Sequence, residues 1–200
     1  MVLVAADCTG HGVPGAFMTL IGNTLLDKIV RVWKITEPAQ ILERLHEEVQ
    51  IVLRQKETQN NNGMDATVLR WKKLPNDHFK VDFAGAKQNA YYFEANQSPL
   101  LSLKGSRKSI GGLQNEQIHF EQVALALPAH TVFYIGSDGL VDQNDARRRR
   151  FGEKKLTEVL EKHRLEPLSA QKEALTKALA SYQEAQPQRD DILWLGLCLA

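Results

Sequence analysis

Four aspartates stand where short apolar runs meet small, turn-forming residues. Asp7 ends Met1-Val2-Leu3-Val4-Ala5-Ala6 and opens Cys8-Thr9-Gly10-His11-Gly12. Asp138 follows the apolar run Thr131 to Ile135, in Ser137-Asp138-Gly139. Asp190 and Asp191 precede a third apolar run, in Arg189-Asp190-Asp191-Ile192. If the three runs are neighbouring strands, these carboxylates converge at one rim. Carboxylates held side by side cannot all stay ionised without a cation between them. Hard divalent ions such as Mg²⁺ or Mn²⁺ take a few carboxylates and several waters. Two such ions about 3.5–4 Å apart would activate a water and clamp a phosphoryl group.

Each signal also has a plainer reading. Asp-Gly after a strand is most often a turn. Asp7 could shape the glycine-rich turn or mark an anion-binding helix N-terminus. Gly10-His11-Gly12 is not GxGxxG, and no P-loop lysine follows it, which disfavours nucleotide binding. His11 either reads as a helix-entry histidine bonded to nearby backbone or supports the site. Asp191 either caps the turn before the last strand or binds metal, and Asp65 either opens a strand or supports the site. Cys8 has no sequence neighbour that would make it a nucleophile, and no CxxxxxR loop follows it. Arg147-Arg148-Arg149-Arg150 is either a solvated run or a basic flap that guides an acidic or phosphorylated partner.

The elements that must position these residues follow from periodicity. The continuous run before Asp7 suits a strand covered on both faces. A strand of that kind at the second residue leads us to expect a chain lacking its natural N-terminal portion. Pro14 suits a first helical turn. Phe17, Leu20, Ile21, Thr24, Leu25, Ile29 and Val32 then mark an amphipathic helix over 13–34. Thr36-Glu37-Pro38 reads as a helix start with a hydroxyl N-cap, and Ile41, Leu42, Leu45, Val49 and Val52 carry that helix to about residue 55. Strands are expected at 65–71, 79–84, 89–94, 99–103, 117–124, 131–135 and 192–199. Helices are expected at 154–163 and 169–183. Trp33, Trp71 and Trp194 fall in periodic segments and read as packing residues. The order is one strand, two helices, many strands, two helices and a strand, without βαβ alternation. That argues for an α+β fold of antiparallel sheets covered by helix pairs.

Composition excludes several classes. The 200 residues carry 25 Lys+Arg against 24 Asp+Glu, a net charge of +1, which argues against binding nucleic acid by bulk electrostatics. No apolar run reaches the roughly 18 residues of a spanning helix, and no signal-peptide pattern opens the chain. The two cysteines, Cys8 and Cys198, form neither a disulfide framework nor a thiolate zinc site, so a reducing, cytoplasmic setting is expected.

Read together, the motifs carry a family resemblance. Ala5-Ala6-Asp7-Cys8-Thr9-Gly10-His11-Gly12-Val13-Pro14-Gly15-Ala16 resembles the Asp-x-x-Gly-His-Gly-x-Pro motif of bacterial SpoIIE/RsbU-type phosphatases, in the PP2C-like (PPM) superfamily. Gly63-Met64-Asp65, Phe83-Ala84-Gly85-Ala86, Ser137-Asp138-Gly139-Leu140, Phe151-Gly152 and Arg189-Asp190-Asp191-Ile192 match the same family in the same order across the chain. The resemblance implies one PP2C-like domain over 1–200, an αββα sandwich of two antiparallel sheets, incomplete at its N-terminus. It implies a protein serine/threonine phosphatase with two Mg²⁺ or Mn²⁺ ions, in which a metal-bridging hydroxide attacks the phosphoryl group. By motif, Asp7 bridges both metals, the Cys8 carbonyl binds one, and Asp138 and Asp190 bind the other. Thr9 stands where eukaryotic relatives carry a histidine, and His11 is not assigned as the acid. The family's upstream Gly-Gly-Asp-type acid is absent from the six residues before Asp7. This leaves a rival reading, a catalytically weak or silent PP2C-like binding module. The implied partners are a phosphorylated STAS-like protein, an upstream sensor or receiver domain that could attach the parent protein to a membrane, and a second copy through the first helix pair.

Overall fold

A computed structural model of the chain describes residues 1–10, 12–97, 99–114 and 117–200. It begins with β1 (Val2–Cys8), α1 (Gly12–Asp27) with a π turn (Lys28–Val32), α2 (Pro38–Val52) and α3 (Gln55–Thr58). Then come β2 (Gly63–Lys73), β3 (His78–Ala86), β4 (Ala90–Phe93), a 3-10 turn (Glu94–Asn96), β5 (Leu101–Leu103), β6 (Ile110–Gly111) and β7 (Gln122–Pro128). The chain ends with β8 (Val132–Gly136), α4 (Gly139–Asp142), α5 (Gly152–His163), α6 (Leu168–Gln183) and β9 (Trp194–Cys198). Two compact units form, Met1–Ala90 with Leu103–Leu127, and Tyr91–Ser102 with Pro128–Ala200.

The first unit is built on a sheet of order β1–β2–β3–β7, with β6 also paired to β2. The β1–β2, β2–β3 and β2–β6 ladders are antiparallel. Val2, Val4, Ala6 and Cys8 of β1 turn toward the core that Met18, Leu25, Ile29, Ile41, Leu42, Leu45 and Val49 form on α1, its π turn and α2. Strand side chains alternate, so Leu3, Ala5 and Asp7 take the opposite face. The start of α2 is tied to the sheet by charge. Arg70 of β2 donates to Asp82 of β3 from Nε at 3.0 Å and Nη2 at 2.7 Å, and its Nη1 donates to Glu37. Asp82 is only 2% exposed.

The second unit carries a sheet of order β5–β4–β8–β9, in which β8 and β9 pair antiparallel. Every residue of β8 is buried. Tyr91, Phe93, Val132 and Tyr134 of this sheet share a core with Leu156 and Leu160 of α5 and Leu175 of α6. The Tyr134 hydroxyl donates to Gln171 of α6. Trp194 packs on Tyr91 and Tyr134 with ring centroids 6.0 and 6.5 Å away. Two antiparallel sheets with helices are thus present, an α+β architecture.

Several expectations require correction. The last strand is not a buried one: the residues of β9 are half-buried or exposed, whereas in β1 the residues facing the helices are half-buried and Ala5, on the opposite face, is buried; among the described residues each is a terminal strand of its sheet. An uninterrupted apolar run does not separate an edge strand from a central one. Phe17 and Leu20 are 62% and 61% exposed, and the buried stripe of α1 is Met18, Gly22 and Leu25. The helix has apolar residues on two faces, and among the described residues only one of the two is buried. The N-cap of α2 is Glu37 rather than Thr36, because the backbone turns helical only at Pro38, and the Glu37 carboxylate accepts from Arg70 instead of capping the helix. Residues 117–121 are not a strand, although Ile118 and Phe120 are buried in the first unit's core. The Phe120 N–H donates to Glu43 at 3.3 Å and the Glu121 N–H to Ser106 Oγ at 3.0 Å, so side chains replace a ladder there.

Candidate metal centre

In the first unit the register of the β1–β2 ladder places Asp7 directly opposite Asp65. Directly opposed residues point to the same face, here the one turned away from α1 and α2. Both are half-buried. Two carboxylates in that relation repel each other, and a divalent cation on oxygen ligands relieves the repulsion.

One residue beyond β1 the ladder is latched. The Thr9 N–H donates to the Gly63 carbonyl at 2.9 Å, and the Gly63 N–H donates to Thr9 Oγ1 at 2.8 Å. The latch fixes the backbone of Cys8, whose carbonyl is the expected ligand. The Cys8 thiol turns the other way, toward the helix core, where burial pushes its pKa up despite a hydrogen bond with Thr19. A thiol held neutral is a poor nucleophile, in keeping with the sequence reading. Helix α1 starts hard against this segment: a Cβ on Gly15 would lie 2.6 Å from the Gly10 carbonyl oxygen. His11 lies outside the described residues.

In the second unit the two neighbours of Asp138 grip the segment that carries Asp190 and Asp191. The Ser137 hydroxyl donates to the Asp191 carbonyl at 2.9 Å and accepts the Leu193 N–H at 3.0 Å. The Ser137 N–H donates to the Leu193 carbonyl at 3.0 Å. On the other side, a Cβ on Gly139 would lie 2.3 Å from the Asp191 carbonyl oxygen, so only glycine allows this approach. Ser137 and Gly139 are buried while Asp138, between them, is exposed, as are Asp190 and Asp191. Asp190 Oδ1 accepts the Asp191 N–H at 2.8 Å. The run Arg147–Arg150 forms a small hairpin after α4, closed by an Asn144–Arg150 bridge.

The donors in each unit are oxygens, which fits a hard ion rather than zinc or copper. Among the described residues, no three His, Cys, Asp or Glu side chains gather into a ready-made metal cluster. Sequence reasoning singled out the aspartates but gave no role to the Ser137 and Thr9 latches. Their only sequence signal is a small hydroxyl residue beside a strand-end acid.

The family model described as Stage II sporulation protein E (SpoIIE) matches residues 1–199. No curated protein sequence matches. Among solved structures, the SiaA-PP2C domain of Pseudomonas aeruginosa is 29% identical with a TM-score of 0.83, over 100% of this chain and 76% of that one. The PP2C phosphatase domain of the cell fate determinant SpoIIE from Bacillus subtilis, with a fragment of its regulatory domain, is 16% identical with a TM-score of 0.70. The match covers 98% of this chain and 53% of that one. RsbX, solved in complex with magnesium, is 14% identical with a TM-score of 0.62, over 100% of this chain and 81% of that one.

Proposed function

The chain belongs to the SpoIIE family and is a PP2C-type phosphatase domain, and on that premise we propose that it hydrolyses phosphoserine or phosphothreonine on a partner signalling protein with the help of Mg²⁺ or Mn²⁺. The proposed ligands are Asp7, the Cys8 carbonyl, Asp138 and Asp190, with Asp65 and Asp191 in support. When bound, the two ions supply positive charge to the phosphoryl oxygens and lower the pKa of the attacking water.

The protein's own part is mostly positioning, as phosphoryl transfer requires. The Thr9–Gly63 latch holds the end of β1, so the Asp7 carboxylate and the Cys8 carbonyl keep a fixed separation. The Ser137 hydroxyl and the bare Gly139 backbone hold the chain on either side of Asp138 against the backbone of Asp191, next in sequence to Asp190. No side-chain nucleophile takes part, and the neutral Cys8 thiol stays out of the reaction.

The observation that carries this reading is the grip of Ser137 and Gly139 on the Asp191 backbone, which supports a shared role for Asp138 and Asp190. The test is Mn²⁺-dependent release of phosphate from a phosphoserine peptide. Turnover should be lost with chelator and in Asp138→Asn, with the melting temperature of the metal-free protein unchanged. Turnover that survives Asp138→Asn excludes that residue as a ligand, and no turnover in the unmodified protein favours the silent binding module. The proposed partners are a STAS-like phosphoprotein, an upstream sensor or receiver domain, and a second copy docked on the exposed face of α1.

A further inference from the structure

The four consecutive arginines do not have the same job. Arg149 is committed inside its own hairpin: its Nε and Nη2 donate to Asp145 Oδ2 at 2.8 and 2.7 Å. Asp145 Oδ1 also accepts the backbone N–H groups of Arg147 at 2.9 Å and Arg149 at 2.8 Å. Arg150 donates to Asp142 at 2.9 Å. The Tyr182 hydroxyl on α6 lies 2.9 Å from the carbonyls of both Arg149 and Arg150, and the Phe151 N–H donates to the Gln143 carbonyl at 2.8 Å. The hairpin is therefore a braced structure rather than a loose run of charge.

The bracing leaves two cations over. Arg147 and Arg148 sit at the hairpin tip, exposed, and among the described residues neither guanidinium has an acidic partner. Arg148 has φ of +60°, a strained value for a side-chain-bearing residue, and it places two neighbouring arginines on a turn held from below by Asp145. A pair of planar guanidinium groups on a braced backbone suits carboxylates or a phosphate monoester, and the loop that carries them needs no ordering when they bind, although the side chains do. The hairpin follows Asp138 after only the single turn of α4.

We propose that Arg147 and Arg148 dock an acidic stretch flanking the phosphorylated residue of a protein substrate, while Arg149 and Arg150 only frame the hairpin. This rests on the phosphatase reading for its choice of partner, but binding tests it without turnover. Two fluorescein-labelled phosphoserine peptides serve as probes, one with glutamates and one with glutamines at the flanking positions. By fluorescence anisotropy at low salt, the protein should bind the glutamate peptide roughly fivefold more tightly, the size of two exposed ion pairs. Arg147→Ala/Arg148→Ala should erase that preference and leave the glutamine peptide unaffected. Salt at about 0.3 M should erase it too. Lys172→Ala/Lys177→Ala, which removes two exposed charges from α6, should preserve it. Equal binding of both peptides by the unmodified protein overturns the proposal, as does a preference that survives the arginine double variant or is lost equally in the lysine one. A preference carried by the arginines without any dephosphorylation would instead uphold the docking surface and sink the phosphatase reading.

Discussion

Asp7 and Asp65 face each other across the β1–β2 ladder, on the side of the sheet away from its helices. Directly opposed like charges cost a sheet up to about 1 kcal/mol. Asp65→Asn should therefore stabilise the metal-free protein by about 0.5 kcal/mol and shrink the rise in melting temperature on adding Mn²⁺. Melting curves with and without Mn²⁺ measure both effects. An unchanged Mn²⁺-induced rise would leave Asp65 as a strand opener with no part in the site.

The contact between Gly139 and Asp191 makes a sharper case. A methyl group at residue 139 has to displace the Asp191 carbonyl, which its Cβ would approach to 2.3 Å. Overpacking against backbone typically costs about 1–3 kcal/mol. Gly139→Ala should lose that stability and also weaken Mn²⁺ affinity, read by calorimetric titration at a temperature where the variant is folded. Ser137→Ala, which removes a hydroxyl serving both Asp191 and Leu193, should act in the same direction at a cost of about 1 kcal/mol. If either variant binds Mn²⁺ as tightly as the unmodified chain, Asp138 and Asp190 do not depend on this grip.

Arg70 holds the start of α2 to the first sheet through Glu37 and Asp82. The guanidinium draws the Glu37 carboxyl below its ordinary pKa, chiefly by hydrogen bonding. Arg70→Ala leaves the buried Asp82 with Lys80 alone, its ammonium 3.8 Å away. Removing one partner of a buried charge pair costs about 3–5 kcal/mol, and the half-exposed Glu37 side adds little. Urea denaturation should show a loss of about 3 kcal/mol, and Asp82→Asn should lose less because it leaves no buried charge unpaired. A larger loss in Asp82→Asn than in Arg70→Ala would contradict this account.

Burial pushes the Tyr134 phenol up to about 12, although its bond to Gln171 pulls the other way. A raised folded-state value means that the neutral form is favoured on folding. Its stabilising contribution is complete below the ordinary phenol value of about 10. It is lost as pH climbs from there toward 12. Tyr134→Phe should be less stable at neutral pH, because the Gln171 oxygen loses its donor. Between about pH 10 and 12 the gap to the unmodified protein should narrow. Parallel melts across that range test it, and a constant gap would mean that Tyr134 does not titrate against folding.

The candidate acids could be picked out in the sequence because each sits where hydrophobic periodicity stops, and a strand end is a property of a few consecutive residues. Helix and strand types followed for the same reason. What escaped depends on which neighbours an element finds. The run at β9 is apolar enough for a buried strand, and nothing within it records that its residues stay half-buried or exposed. Ile118 and Phe120 alternate like a strand yet plug the core from an unpaired segment, because Glu43 and Ser106 satisfy the backbone in place of a ladder. Thr36 misses the cap role because the helix starts one residue later, at Pro38, a boundary that the Thr-Glu-Pro triplet leaves open. The Ser137 latch joins residues more than fifty positions apart, and a hydroxyl residue beside a strand-end acid is all that marks it locally.

The same limit explains α1, where periodicity found the helix but not which face is covered. Val13, Phe17 and Leu20 recur at four- and three-residue spacing and are all exposed, while Met18, Gly22 and Leu25 are buried. An apolar stripe of this kind on a helix is what a second copy needs in order to pack helix against helix. If α1 is the dimer contact, Phe17→Glu/Leu20→Glu removes it without touching the chain's own core. Light scattering should then give a dimer mass for the unmodified protein and a monomer mass for the variant. The variant's melting temperature at low concentration should be unchanged, since both side chains are already in water in the monomer. A variant that remains dimeric would place the contact elsewhere. One that is monomeric but melts at a much lower temperature would show that these side chains support the fold itself.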